Sequence, residues 1–131
     1  MEIGGIIATA LTCLALNVYH EARGEPFLGQ VAVAQVTMNR VASASYPDNV
    51  CDVVTQPYQF SWTGDGLSDQ PSDPRAWQDA LSVAAMVLDF GARTAGVSDQ
   101  TLHYHATSVT PAWSAEMASL GKIGNHRFYR Q

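Results

Sequence analysis

The chain has 131 residues, 47% hydrophobic and 15% charged, enough for one packed domain (1–131) and too short for two of ordinary size. Seven Lys plus Arg against twelve Asp plus Glu give a formal charge of -5 with no basic run, which excludes a nucleic-acid footprint. Cys13 and Cys51 lack C-x-x-C spacing and a metal-like partner, and are expected to be two buried, reduced thiols.

Residues 3–16, IGGIIATALTCLAL, are the most apolar stretch. They fall short of the roughly 20 residues a membrane span needs. No Lys or Arg precedes them, as a signal peptide would require. A buried helix is expected, in a protein made in the cytoplasm without its own export address. Phe27, Val31, Ala34, Met38 and Val41 then recur at helical spacing within 26–42, with Pro26 suited to the first turn. The segment 61–73, SWTGDGLSDQPSD, reads as a long loop or irregular hairpin, and loops of that length tend to be functional. Asp73 as cap, Pro74 at the first position and Gly91 at the end delimit another helix, with Trp77, Leu81, Ala84 and Leu88 on its core face. TLHYHAT (101–107) alternates as a strand does, and HRFYR (126–130) supplies a possible second strand. Between them, 109–125 suggests a proline turn, a short helix and another turn. The sum is a single α+β domain, mostly helical, with a small sheet or hairpin.

The stretch NVYHEARGEPFLGQ (17–30) approaches the zinc protease pattern H-E-x-x-H but has Gly24 where the second histidine belongs. Glu21 instead ends an apolar helix, where hydrophobic neighbours and the negative helix terminus both disfavour ionisation. A carboxylic acid that keeps its proton near neutral pH is what glycosidic cleavage requires. A plain helix-end ion pair with Arg23 or Arg40 is the structural alternative. YQFSW (58–62) mixes aromatic, amide and hydroxyl groups of the kind that stack on and read sugar rings, and at least part of it is expected to line a cleft. His103 and His105 share one face of a strand, and a neighbouring strand could bring His126 to them. Without a further ligand they are expected to support a cleft wall, with no metal and no cofactor. No G-x-S-x-G or paired Cys and His suggests a nucleophile.

Together, NVYHEARGEPFLGQVAVAQVTMNRV, YPDNVCDVV, QFSW and HYHATSVTPAW…IGNHRFYR resemble the catalytic domain of the spore-cortex-lytic, SleB-like cell wall hydrolases over roughly residues 15–130. The resemblance implies a lysozyme-superfamily-like helical fold and cleavage of peptidoglycan glycan strands, by lytic transglycosylation in characterised relatives. It makes Glu21, first glutamate of E-A-R-G-E, the catalytic acid. Glu25, Tyr58, Gln59, Phe60, Ser61 and Trp62 follow as substrate-binding residues, and Tyr104, His105 and His126 are added as cleft residues. Spore enzymes carry leader or wall-binding segments, and the start of this chain at the catalytic domain suggests a free-standing phage endolysin. A bacterial or spore wall-remodelling muramidase acting by hydrolysis, a metal-dependent amidase or peptidase using the histidines, and a non-catalytic glycan-binding module are the alternatives. The expected partner is peptidoglycan, met by a monomer without nucleic acid or stable membrane insertion. Arg23, Arg40 and Arg127 are the local cations expected to face this anionic polymer.

Overall fold

The computed structural model describes residues 1–57 and 59–130. The apolar N-terminal stretch is not one helix. Glu2–Ile3 (β1) and Ile6–Ile7 (β2) pair antiparallel around Gly4 and Gly5, and helix α1 spans only Ala10–Ala22. Thr9 sets this start. Its hydroxyl accepts the Thr12 N–H, and the Thr12 hydroxyl oxygen accepts the Thr9 N–H, a reciprocal box that stops the helix growing backwards. From Cys13 to Tyr19 every residue of α1 is buried, so it is the central helix, with α2, α3 and α4 packed around it.

Helix α2 spans Phe27–Ala42, where the periodicity predicts it, but its first apolar residues face solvent: Phe27 and Leu28 are 51% and 55% exposed. The buried stripe begins at Val31. A short helix α3, Val50–Val54, is capped by Asn49. Helix α4, Pro74–Phe90, has the expected ends: the Asp73 carboxylate accepts the Arg75 and Ala76 N–H groups at 3.1 Å each, and Gly91 closes it in a left-handed conformation. Its deepest face carries Ala80, Val83, Ala84 and Val87, with Trp77, Leu81 and Leu88 packed at the edges.

The cysteines are not free. Cys13 of α1 and Cys51 of α3 form a disulfide, with Cα atoms 5.2 Å apart. A separation of 38 residues hides this pairing from the sequence, because only the packing of α3 on α1 brings the thiols together.

The C-terminal third is a three-stranded antiparallel sheet in the order β3-β5-β4: His103–Ala106, His126–Arg130 and Ala118–Ile123. The short helix expected in 109–125 is a 3-10 helix, Ala112–Glu116, and the turn expected after it is strand β4. One core cluster lies among the helices. A second, including Ala22, Val33, Val36 and Phe128, joins α1 and α2 to the sheet, and Tyr104 touches both. The last turn of α1 therefore stands where helices meet sheet. Among the described residues, no helix is long and apolar enough to cross a membrane.

Candidate active site

Glu21 occupies that last turn. Burial pushes its carboxyl above the ordinary value of 4.5, while the Tyr104 hydroxyl and the Arg40 guanidinium pull the other way. The Tyr104 hydroxyl is itself buried, lies near Glu21 and Asn17, and has no partner at normal hydrogen-bond geometry. Burial pushes its own pKa well up, and the neighbouring Glu21 charge adds to the shift. Arg40 is only 4% exposed. Its Nε donates to the Leu102 carbonyl at 2.8 Å, and its guanidinium lies 5.1 Å from the Phe60 ring centre. It is thus a fixed interior cation near Glu21, not a surface charge offered to a polymer.

Glu21 opens into a cavity of about 370 Å³, whose wall includes His20, Ser61, Trp62, Asp65 and Asp69. A larger groove of about 820 Å³ adjoins it through Ser61, Asp65 and Asp69, and adds Gln59, Phe60 and Thr63. The Y-Q-F-S-W stretch thus divides by burial. Phe60 and Trp62 are core residues, 3% and 6% exposed, with one edge at the cavities, whereas Gln59 and Ser61 are exposed on the groove. Tyr58 lies outside the described residues. The Trp62 indole N–H donates to Asn17 Oδ1 at 3.0 Å, and Asn17 Nδ2 donates to the Thr37 hydroxyl at 3.2 Å. On its other side Trp62 stacks with His20 at 4.5 Å, and His20 Nε2 donates to the Asp69 carbonyl at 2.8 Å. Neither Asn17 nor His20 is marked as a site residue by the sequence motifs. The signal for Asn17 was its position four residues before Glu21, on the same helix face.

Glu25 is not in the cavity with Glu21. Its carboxylate accepts the Asn125 backbone N–H at 2.6 Å and the Asn125 side-chain amide at 3.0 Å, with His126 Nδ1 at 3.6 Å. Burial would raise its pKa, but the Asn125 hydrogen bonds and His126 outweigh it and hold the carboxyl below 4.5. Gly24, at φ +84°, makes the turn that separates the two glutamates. The motif's second acid thus ties the α1–α2 corner to the β4–β5 turn.

The histidines divide across the sheet. Register pairs Tyr104 with Phe128 and Ala106 with His126, so these side chains face the helices. His103 and His105 point to the opposite face, where both lie against Trp113. There His105 Nδ1 donates to the Ala106 carbonyl at 2.7 Å, and Nε2 shares a hydrogen bond of 2.8 Å with the Tyr129 hydroxyl. His126 is 7% exposed and backs Glu25. The neighbouring strand therefore does not bring His126 to the other two, and no group of three potential metal ligands occurs among the described residues.

Residues 24–129 match the family described as Cell Wall Hydrolase. The chain belongs to the cell wall hydrolase family. The match begins just beyond Glu21, so the case for that acid rests on its surroundings and on the E-A-R-G-E motif. The chain is 36% identical over 118 residues to the spore cortex-lytic enzyme of Halalkalibacterium halodurans, covering 88% of this chain and 33% of that protein. It is 33% identical over 127 residues to the spore cortex-lytic enzyme of Bacillus subtilis, covering 95% of this chain and 39% of that protein. It thus spans between a third and two fifths of the length of these two relatives. In structure it is similar to the catalytic domain of the germination-specific lytic transglycosylase SleB of Bacillus anthracis, with a TM-score of 0.73, 34% identity, and 96% and 98% of the two chains covered. The catalytic domain of Bacillus cereus SleB gives a TM-score of 0.71 at 34% identity, covering 92% of this chain and 89% of that one. The α+β, mostly helical, lysozyme-like fold expected from sequence is the fold found. The family is one of cell wall hydrolases, in line with the enzyme expected from the sequence.

Proposed function

We propose that this enzyme is a lytic transglycosylase that cleaves between N-acetylmuramic acid and N-acetylglucosamine with Glu21 as its single acid and base. One observation carries the proposal: Glu25, the second carboxylate of the motif, is held by Asn125, while Glu21 is the half-buried carboxyl, among the described residues, whose pKa burial raises and which lines the cavity beside the groove. The lytic transglycosylase SleB catalytic domain, alike over nearly its whole length, supports the same choice.

In the first step Glu21 gives its proton to the glycosidic oxygen as the bond from the muramic acid C1 to that oxygen breaks. The resulting Glu21 carboxylate is stabilised by Arg40 and by the Tyr104 O–H, which can donate once the acid is ionised. Glu21 then removes the proton from the muramic acid 6-hydroxyl as that oxygen closes on C1. The proton returns to Glu21 and no water is consumed. A nucleophile tethered in the substrate has a high effective molarity, which removes the need for a second enzyme carboxylate.

The setting we propose is the wall side of the inner membrane, as for a phage endolysin. The Cys13–Cys51 disulfide supports it, since such bonds persist outside reducing compartments. The test of the assignment is Glu21→Gln, which should fold normally and lose at least ~100-fold in activity, the lower end of what general acid catalysis supplies. Near-normal turnover by the folded variant would remove Glu21 from the reaction.

A further inference from the structure

A second hollow, of about 320 Å³, lies behind the wall formed by Tyr19 and Arg23, the two residues it shares with the Glu21 cavity. That wall is held in place. The Tyr19 hydroxyl accepts the Ser72 and Asp73 N–H groups at 3.0 Å each, and the Arg23 guanidinium lies 4.6 Å from the Tyr19 ring centre. Across the hollow stands Arg75, in the first turn of α4. A cation there opposes the helix dipole, and among the described residues neither Arg75 nor Arg23 pairs with a carboxylate. Arg75 is exposed there, with its guanidinium free of an ion pair among the described residues.

The acids around the hollow are mostly committed. Asp73 caps α4 and Glu25 is bound by Asn125, which leaves Asp79, one turn beyond Arg75, without a hydrogen-bond partner among the described residues. Two unpaired guanidinium groups and one unpaired carboxylate complement a short peptide carrying more carboxylates than amines.

We propose that this hollow binds the stem peptide of the muramic acid being cleaved, with Arg23 and Arg75 on its carboxylates and Asp79 on the ammonium of its diamino acid. The inference rests on the glycan-cleaving reading of Glu21, because a muramic acid seated at Glu21 carries its peptide on the same ring. Arg23, two positions beyond Glu21, lines both cavities, so a peptide leaving the Glu21 cavity past Arg23 enters the hollow that Arg75 lines. An enzyme of net charge -5 gains from such local cations when it handles an anionic polymer.

The test compares kcat/KM on glycan strands bearing stem peptides with that on strands stripped by an amidase, for the wild type, Arg75→Ala and Arg75→Lys. Arg75→Ala should lose about tenfold on the peptide-bearing strands, the worth of one charge-assisted hydrogen bond, and nothing on stripped strands, with Arg75→Lys between. Equal losses on both substrates, or none on either, would overturn the proposal. Binding is read independently by titrating the free tetrapeptide Ala-Glu-diaminopimelate-Ala into the wild type and following amide shifts by NMR. Shifts around Ala76 and Asp79 that disappear in Arg75→Ala support the site, and their absence from the wild type refutes it. If neither strand is cleaved, the glycan reading fails and this titration alone decides the hollow.

Discussion

The Glu25 carboxylate is bound through both oxygens by Asn125, one hundred residues further along the chain. This contact joins the corner that follows α1 to the turn of the sheet that carries Tyr104 and His126. The space at the joint is tight: a Cβ on Gly124, which has φ +56°, would stand 2.5 Å from Glu25 Oε1.

Glu25→Ala should therefore destabilise the fold by about 1 kcal/mol, the loss of its hydrogen bonds from Asn125 at a joint that water can reach. Activity should fall much less than in Glu21→Gln, and thermal melts beside turnover on peptidoglycan separate the two effects. Gly124→Ala should mimic the loss of stability, since it strains the backbone and meets the carboxylate. A loss of turnover equal to that of Glu21→Gln in a folded Glu25 variant would restore a two-carboxylate mechanism.

The same joint makes stability depend on acid. Glu25 has a folded pKa below its ordinary 4.5, so its contribution is complete above that value and is lost as pH falls through the folded pKa. His126 is also depressed from its ordinary 6.5, chiefly by burial, and proton uptake below that pH works in the same direction. Melting temperature should fall as pH drops below 4.5, and Glu25→Gln should flatten that fall. An unchanged acid limb in the variant would assign the acid sensitivity elsewhere.

Glu21 has the opposite sign. Its folded pKa is raised, so its contribution is complete below 4.5 and lost as pH rises through the folded pKa. Glu21→Gln should then melt at or above the wild-type temperature at pH 7 while losing activity. A clear drop in melting temperature would mean that the carboxylate is a structural acceptor.

Much of the helical body is legible in the sequence because its signals are local. Asp73, Pro74 and Gly91 mark α4 through capping chemistry alone, and the spacing from Val31 to Val41 marks α2. What escapes is set by distant partners. The two-glycine hairpin looks like more helix because Ile3, Ile6 and Ile7 are apolar in either form. Glu25 looks like a cleft acid until Asn125 arrives from the sheet, and His126 looks like a companion of His103 and His105 until the strand register turns it to the other face. Phe60 and Trp62 satisfy an aromatic sugar-binding pattern and a core equally well, and only packing decides that they are mainly core.

Asn17 tests how firmly the cavity wall is built. It is fully buried and spends its side chain on Trp62 and Thr37. Trp62→Phe should cost about 1–3 kcal/mol by leaving the Asn17 oxygen unsatisfied, beyond any loss of packing. Denaturant midpoints of Trp62→Phe, Asn17→Ala and the double variant measure this. Strict additivity of the two single changes would contradict the coupling.

The disulfide fastens α3, and with it the start of the segment leading to Gln59 and Ser61, onto α1. Reduction, or Cys13→Ser with Cys51→Ser, should cost about 2–5 kcal/mol for a loop of this size. Melting with and without reductant checks it, and an unchanged midpoint would show that the bond does not form in solution.

If one carboxylate serves both steps, the reaction product records it. Digestion of purified peptidoglycan followed by mass spectrometry of the released fragments should give 1,6-anhydro-N-acetylmuramic acid ends. Digestion in ¹⁸O-labelled water should leave those ends unlabelled, since no water enters the reaction. A digest dominated by reducing N-acetylmuramic acid ends, heavier by one water and carrying the label at C1, would contradict the account and require a second group to activate water.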